Sequence, residues 1–406
     1  MPSPMLTIQY LEDSPNLAQL DQKLVIDKLR VAAERLPFTH LLIGWHLPMP
    51  LLEACRTEAD RLGMRFIRWQ PLLTGDRVFQ PDPEWFTVSS TGKKLTGYRN
   101  LPEFTFVCPH HPAVQEQVAV HLDNLVHQGL YQGFFLDRLR YPSPSADPIH
   151  DLTCFCEYCR RKAAEYGLDL EEIRQEILRT IRSDNGSTTL IKALLSGKPE
   201  PESAYQTPSI DQFLTFRKRS ILGFLSSVSQ TLRQAHLELG LDCFSPCLTH
   251  MVGQDLSAMS EHVDWIKLMT YAHTFAPAGL PFELSGLLQH LTASPHLSEV
   301  QSLELMNQFT GLQMPASLLS LQKKGLPTSA LEEEVRRGVE SCSVPVLAGL
   351  ELVKLTGVTQ QNTQHIQADL IGLKKANPAG LALSWDLIHN PLEWLDLVRK
   401  IYLVNP

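Results

Sequence analysis

The residues with the clearest chemical promise are carboxylates that close apolar runs. Asp137 ends Gly133-Phe-Phe-Leu136 and is followed by Arg138, Arg140, Tyr141 and Pro142. Glu351 closes Leu347-Ala-Gly-Leu350 in the same way. A carboxylate at the end of a buried strand faces whatever cavity the strands enclose, and guanidinium groups beside it favour its ionised form. Two carboxyl groups facing one cavity supply what glycoside cleavage needs. One protonates the leaving oxygen while the other attacks the sugar or activates water. Asp137 is therefore the candidate nucleophile or base and Glu351 the candidate acid/base. The competing assignment makes Asp137 and Arg140 a structural ion pair and leaves Glu351 as a solvated loop residue.

Aromatic and polar residues close other runs: Trp45 with His46, Trp69 with Gln70, Tyr271 with His273, and Trp385 with Asp386. Sugar rings offer apolar C–H faces that stack on aromatic rings, while their hydroxyls want fixed polar partners. Trp45, His46, Trp69, Arg140, Tyr141, Tyr271, Trp385 and Asp386 are thus the substrate-binding candidates. Aromatic residues favour strands in general, so the argument rests on their recurrence at strand ends. Asp242 and Asp264 are read at strand starts, where a carboxylate serves stability, and are set aside.

Cys154, Cys156 and Cys159 form a C-x-C-x-x-C cluster. Three thiols so close chelate zinc if His150 or a cysteine from elsewhere supplies a fourth ligand, and such a site is structural. The alternative is a reduced, buried trio. The spacing does not complete a four-thiolate iron–sulfur motif. Neither His-Glu-x-x-His nor Gly-x-Ser-x-Gly is present, which argues against a zinc protease and a serine hydrolase. His110-His111, between Pro109 and Pro112, reads as a loop pair ahead of a helix. No cofactor is required by the carboxylate chemistry.

The elements that must position these groups alternate regularly. Strand runs are expected at Leu6–Leu11, His40–His46, Met64–Trp69, Gly133–Leu139, Leu241–Pro246, Asp264–Tyr271, Val344–Glu351 and Gly380–Asp386. Helical patterns separate them, among them Asn16–Arg35, Leu51–Leu62, Pro112–His127, Ile210–Leu239, Thr359–Ala376 and Leu392–Tyr402. Eight apolar strands alternating with helices predict an α/β fold, a (β/α)8 TIM barrel, over 1–406 as one domain. No glycine-rich phosphate loop follows the first strand, against an open dinucleotide-binding sheet. Three connections are long: 75–111 after strand three, with a small β-excursion around Phe86–Tyr98; 142–207 after strand four, carrying the cysteines and a polar linker at Ser183–Ser187; and 272–299 after strand six. All leave the strand ends where barrel active sites are built.

Composition sets the class. The 406 residues include 36 Lys and Arg against 44 Asp and Glu, a net charge of −8, which argues against nucleic acid or an anionic membrane as partner. With 43% hydrophobic residues a large core is expected rather than disorder. No apolar stretch reaches the roughly 18 residues of a membrane span. The N-terminus MPSPMLTIQYLEDS lacks the basic and apolar regions of a secretory signal, so a cytoplasmic protein with reduced cysteines is expected. Oligomeric state is left open.

Gly133-Phe-Phe-Leu-Asp-Arg-Leu-Arg-Tyr-Pro142 resembles the strand-four motif of a group of hypothetical glycoside hydrolases with (β/α)8 barrels, distantly similar to α-amylases and α-galactosidases. Cys108-Pro-His-His-Pro112, the Cys154–Cys159 cluster, Val252-Gly-Gln-Asp255, Asp264-Trp-Ile-Lys-x-Met-Thr-Tyr271 and Ser384-Trp-Asp386 follow the same group in order. The resemblance spans about Trp45 to Pro391. It implies a glycosidase-like barrel with Asp137, the strand-four aspartate, as nucleophile. Strand five ends Phe244-Ser-Pro-Cys247, without the glutamate of amylases, and strand six ends Met269-Thr-Tyr271, without the aspartate of α-galactosidases. Glu351 takes the acid/base role instead. The functional expectation is a glycoside hydrolase of carbohydrate metabolism acting on an oligosaccharide or glycoconjugate. The alternatives are a non-catalytic carbohydrate-binding barrel and, third, a zinc-dependent hydrolase using the cysteines.

Overall fold

The computed structural model describes residues 4–12, 21–75, 80–97, 101–196 and 208–403. Eight parallel strands close into a barrel in sequence order: β1 (Met5–Tyr10), β2 (His40–Ile43), β3 (Arg65–Pro71), β4 (Gly133–Asp137), β5 (Glu238–Phe244), β6 (Trp265–Met269), β7 (Val346–Glu351) and β8 (Gly380–Ser384). β1 pairs with β8 to complete the ring. The expected (β/α)8 barrel is the observed one. Each strand is buried on both faces, which is why the runs read as continuously apolar rather than alternating. Among the described residues no helix is long and apolar enough to cross a membrane.

Helices α1 (Gln22–Arg35), α2 (Met49–Arg61) and α3 (Pro112–His127) follow β1, β2 and β3. Their starts are set by local chemistry: the Asp21 carboxylate caps the Lys23 and Leu24 amides, and Pro112 opens α3 where its missing N–H costs nothing. After β4 come α4 (Glu157–Glu165), α5 (Leu170–Ile181) and α6 (Gly186–Ser196), then the long crossover α7 (Pro208–Gln234). The segment Ser183–Ser187 is the tight junction into α6 rather than an open linker. The β3 excursion consists of isolated antiparallel bridges, Phe86 with Val107, Val88 with Lys94, and Ser89 with Thr153 on the β4 side. Residue 98 of the expected excursion, 16–20 of the first expected helix and 197–207 at the end of the insertion lie outside the described residues. The connection after β6 is longer than expected: helices Leu280–Thr292, Glu299–Thr310 and Leu318–Lys324 precede the crossover helix Thr328–Ser341.

Strand five differs most from its sequence reading. Helix α7 stops at Gln234 and β5 begins at Glu238, so Gly240 lies inside the strand instead of terminating a helix. The reason is packing. A Cβ on Gly240 would stand 2.2 Å from the Trp265 ring, so glycine leaves the space that the indole occupies. That indole stacks on Phe135 at 5.3 Å, and with Leu42, Ile67, Trp69, Leu347 and Ala382 it fills the middle of the barrel. Below this layer Glu238 accepts hydrogen bonds from His40 at 2.9 Å and the Trp265 indole at 2.7 Å. Above it the interior turns polar.

Candidate active site

Asp137 occupies the last position of β4 and is 8% exposed. Arg138 takes a left-handed conformation at φ 54°, which ends the strand and turns its amide back onto Asp137 Oδ1 at 2.6 Å. Asp137 Oδ2 accepts from the Trp69 indole of β3 at 3.0 Å. Both oxygens are thus oriented by donors from rigid elements. The Arg138 side chain lies 4.4 Å over the Phe104 ring and 5.5 Å over Trp45, and donates to Thr74 Oγ1, Gly75 O and Glu103 O at 3.1, 3.2 and 2.7 Å. It holds the β3 loop against the barrel mouth.

Leu136 pairs with Leu241 between β4 and β5, so the next residues, Asp137 and Asp242, stand side by side. Asp242 lies five residues into a seven-residue strand and is buried. It is not at the strand start where the sequence reading set it aside; the early onset of β5 is the cause. Its Oδ2 accepts from Lys267 Nζ of β6 at 2.9 Å, while Oδ1 has no hydrogen-bond partner. Burial pushes the Asp242 carboxyl up to about 7, against the opposing Lys267 charge and with the Asp137 charge adding to the rise. Burial works against the Lys267 charge, yet Asp242 and Tyr271 hold its pKa above the ordinary lysine value. Lys267 Nζ lies 5.0 Å from the Tyr271 ring centre, and Tyr271 donates its hydroxyl to Ser384 Oγ at 2.8 Å. A polar arc therefore runs Trp69, Asp137, Asp242, Lys267, Tyr271, Ser384 around the top of the interior. Gln9 of β1, in register with interior Leu42, is fully buried with both amide atoms unpartnered.

Glu351 ends β7 as expected, but its partners are different ones. It accepts from the His273 amide at 2.5 Å and Gln361 Nε2 at 3.0 Å, and from the Thr274 hydroxyl. Burial pushes its carboxyl up to about 8. Glu351 thus fastens the loop after β6 to the loop after β7, and shares none of these partners with Asp137.

The substrate-binding candidates divide. Trp69 packs edge-on against half-buried Trp45 at 5.3 Å, and Tyr271 lies 5.8 Å from half-buried Trp385. Trp45 and Trp385 thus flank the arc, one beside Trp69 and the other beside Tyr271. Trp45 and His46 also line a cleft of about 280 Å³ with Gln70, Trp85, Gln117 and His121, which opens between β3 and α3 on the outer side of the barrel rather than on the carboxylates. Arg140 is clamped between Phe244 at 4.3 Å and Phe106 at 4.6 Å, and donates to the Tyr141 carbonyl. Tyr141 is buried with its ring 4.7 Å from the Arg217 guanidinium. Asp386 accepts from the Ile388 amide at 3.1 Å in the turn after β8. Sequence reasoning missed Asp242, Lys267 and Gln9. An inward-facing polar residue inside an otherwise apolar strand was the available signal.

The cysteine cluster gains its fourth member from the other loop. Cys108, just before α3, joins Cys154, Cys156 and Cys159, with all four sulfurs within 4.8 Å of one another. His150, the other fourth-ligand candidate, instead pairs with Asp147 at 2.6 Å.

No family model matches the chain, and no curated protein matches it in sequence. Its fold is similar to that of solved glycoside hydrolases. The PgaB (BpsB) glycoside hydrolase domain from Bordetella bronchiseptica aligns over 100% of both chains with 12% identity and a TM-score of 0.58. A β-galactosidase from the Antarctic haloarchaeon Halorubrum lacusprofundi aligns over 98% of this chain and 57% of its own, with 13% identity and a TM-score of 0.57. The β-galactosidase Gan42B from G. stearothermophilus gives 11% identity over 98% of this chain and 56% of its own, with a TM-score of 0.56. This chain spans a little over half the length of the two β-galactosidases. At these identities the likeness is one of fold.

Proposed function

We propose that the chain hydrolyses a glycosidic bond in an oligosaccharide or glycoconjugate, with Asp137 as nucleophile and Asp242 as acid/base. The observation that carries this reading is the side-by-side placement of the two carboxylates at the top of the barrel interior. Parallel neighbours lie about 4.8 Å apart at the backbone, which brings both side chains to one part of the mouth; a carboxyl separation of ~5–5.5 Å there gives retention of configuration. Asp137, oriented by Trp69 and Arg138, attacks the anomeric carbon. Asp242, pushed up to about 7, protonates the leaving oxygen and then takes a proton from the water that displaces Asp137 from the anomeric carbon, a poise suited to both half-reactions near neutral pH. Lys267 orients Asp242. Gln9 offers an amide to a sugar hydroxyl, and Trp45 and Trp385 offer faces to the ring. The scheme needs no cofactor. The solved β-galactosidases of similar fold make galactosides the first substrates to try.

The test is release of reducing ends from a panel of oligosaccharides, with the anomer of the first product read by NMR. Asp137→Asn should cost on the order of 10³-fold or more in kcat. Asp242→Asn should lose natural glycosides far more than activated aryl glycosides, and azide should restore its turnover as a glycosyl azide. Glu351→Gln should stay within a few-fold of the parent. If Glu351→Gln behaves as described for Asp242→Asn, the working pair is Asp137 with Glu351. Sugar binding without any turnover, unchanged in Asp137→Asn, would favour a carbohydrate-binding barrel.

A further inference from the structure

We propose that Cys108, Cys154, Cys156 and Cys159 bind one structural zinc ion that staples the β3 loop to the β4 insertion, with Arg217 as its buried counter-charge. This inference is independent of the glycosidase reading. Cys108 Sγ lies 3.4 Å from Cys156 Sγ and 3.5 Å from Cys159 Sγ. A disulfide would require about 2 Å. Four thiolates around zinc at about 2.3 Å place the sulfurs about 3.8 Å apart, and this set is already near that edge length. All four cysteines are free, and three are buried. A pure thiolate set is soft, so it selects zinc over magnesium or calcium.

Two further observations point to an anionic cluster. Backbone amides aim at three of the sulfurs: Val88 at Cys154 (3.4 Å), His110 at Cys108 (3.4 Å) and Cys159 at Cys156 (3.5 Å). Such donors are what thiolate sulfurs use to offset their charge. Arg217 is fully buried, and its guanidinium meets only acceptors without charge, the Met251 carbonyl at 2.7 Å and the Pro142 carbonyl at 3.5 Å, together with the Tyr141 and Phe213 rings. Among the described residues it has no carboxylate partner. A buried cation without a counter-ion is costly, and the Phe213 ring beside it stacks at 4.4 Å on Phe155, which sits between Cys154 and Cys156 in the chain. A tetrathiolate zinc centre is a net dianion, and it supplies the missing opposite charge.

The ion also has mechanical consequences. The Cys108 amide donates to the Trp85 carbonyl at 2.8 Å, and His111 packs on Tyr158 of α4 at 4.3 Å. Tyr141, four residues beyond Asp137, carries Arg217 4.7 Å over its ring. The staple therefore supports both the cleft wall at Trp85 and the chain leaving β4.

The experiment is elemental analysis of the purified full chain, joined to cobalt substitution. One zinc per chain is expected, and the cobalt form should show the intense visible bands of a tetrahedral tetrathiolate. Cys108→Ser should drop bound metal at least tenfold, whereas Cys342→Ser, outside the cluster, should keep it. If Cys108→Ser does not fold, the wild-type cobalt spectrum and X-ray absorption decide, with four sulfur neighbours expected. Four alkylatable thiols in a folded metal-free chain, a disulfide in place of metal, iron in place of zinc, or full zinc in Cys108→Ser would overturn the proposal.

Discussion

Single residues here show how environment decides what a carboxyl group does. Asp137 and Glu351 both close apolar strands, yet one receives donors at the barrel mouth and the other is consumed by loop contacts. The Glu351 network makes a pH prediction. Its folded pKa, about 8, lies above the ordinary 4.5, so its contribution to stability is complete at acid pH and is lost as pH rises through about 8. Glutamine keeps every contact: its carbonyl accepts from the His273 amide and Gln361, and its amide donates to Thr274. Glu351→Gln should therefore fold normally and flatten the decline of stability between pH 5 and 9, by about 1–5 kcal/mol at the alkaline end. Urea unfolding of both proteins across that range checks it; parallel curves would show that Glu351 does not titrate in this window.

At the scale of elements, interior residues on the strands set what can reach the mouth. Gly240 exists because Trp265 needs its space, and that indole in turn stacks on Phe135 directly beneath Asp137. Gly240→Ala should cost about 1–3 kcal/mol by overpacking. A lowered urea midpoint with an unchanged m-value is expected; a neutral substitution would mean that the indole moves freely. The same glycine explains why the sequence misplaced strand five. A glycine after a helical pattern normally signals a stop, and nothing local reveals that a tryptophan on the next strand requires it. Asp242 was set aside as a consequence, although its neighbours Leu241 and Cys243 already read as strand.

For the whole molecule, the two loops that follow β3 and β4 form one structural unit over the barrel's rim. Ser89 bridges Thr153, Ser90 Oγ donates to the Ile149 carbonyl at 2.7 Å, and Arg174 of α5 donates to the Ser90 carbonyl at 2.8 Å. Removing the proposed zinc with a chelator should raise hydrogen exchange in 85–97, 101–111 and 139–160 first, leaving β6 to β8 protected. Uniform exchange over the whole barrel would show instead that the cysteines hold the global fold.

The eight-strand barrel was legible in the sequence because each strand is buried on both faces, and a two-faced burial leaves a continuous apolar run that local reading can find. Asp137 was legible for the same reason: it is the first charge after such a run. The cysteine trio was visible from spacing, but its fourth member was not, since Cys108 approaches only when two loops far apart in sequence bridge. Tyr141 and Arg140 follow Asp137 closely in the chain, yet Tyr141 lies against Arg217 and Arg140 is held between Phe244 and Phe106, beyond the point where the left-handed Arg138 ends the strand. Which carboxylate stands beside Asp137 is a matter of register between β4 and β5. Register depends on how neighbouring strands fit their side chains together, and no run of residues along one strand contains that information.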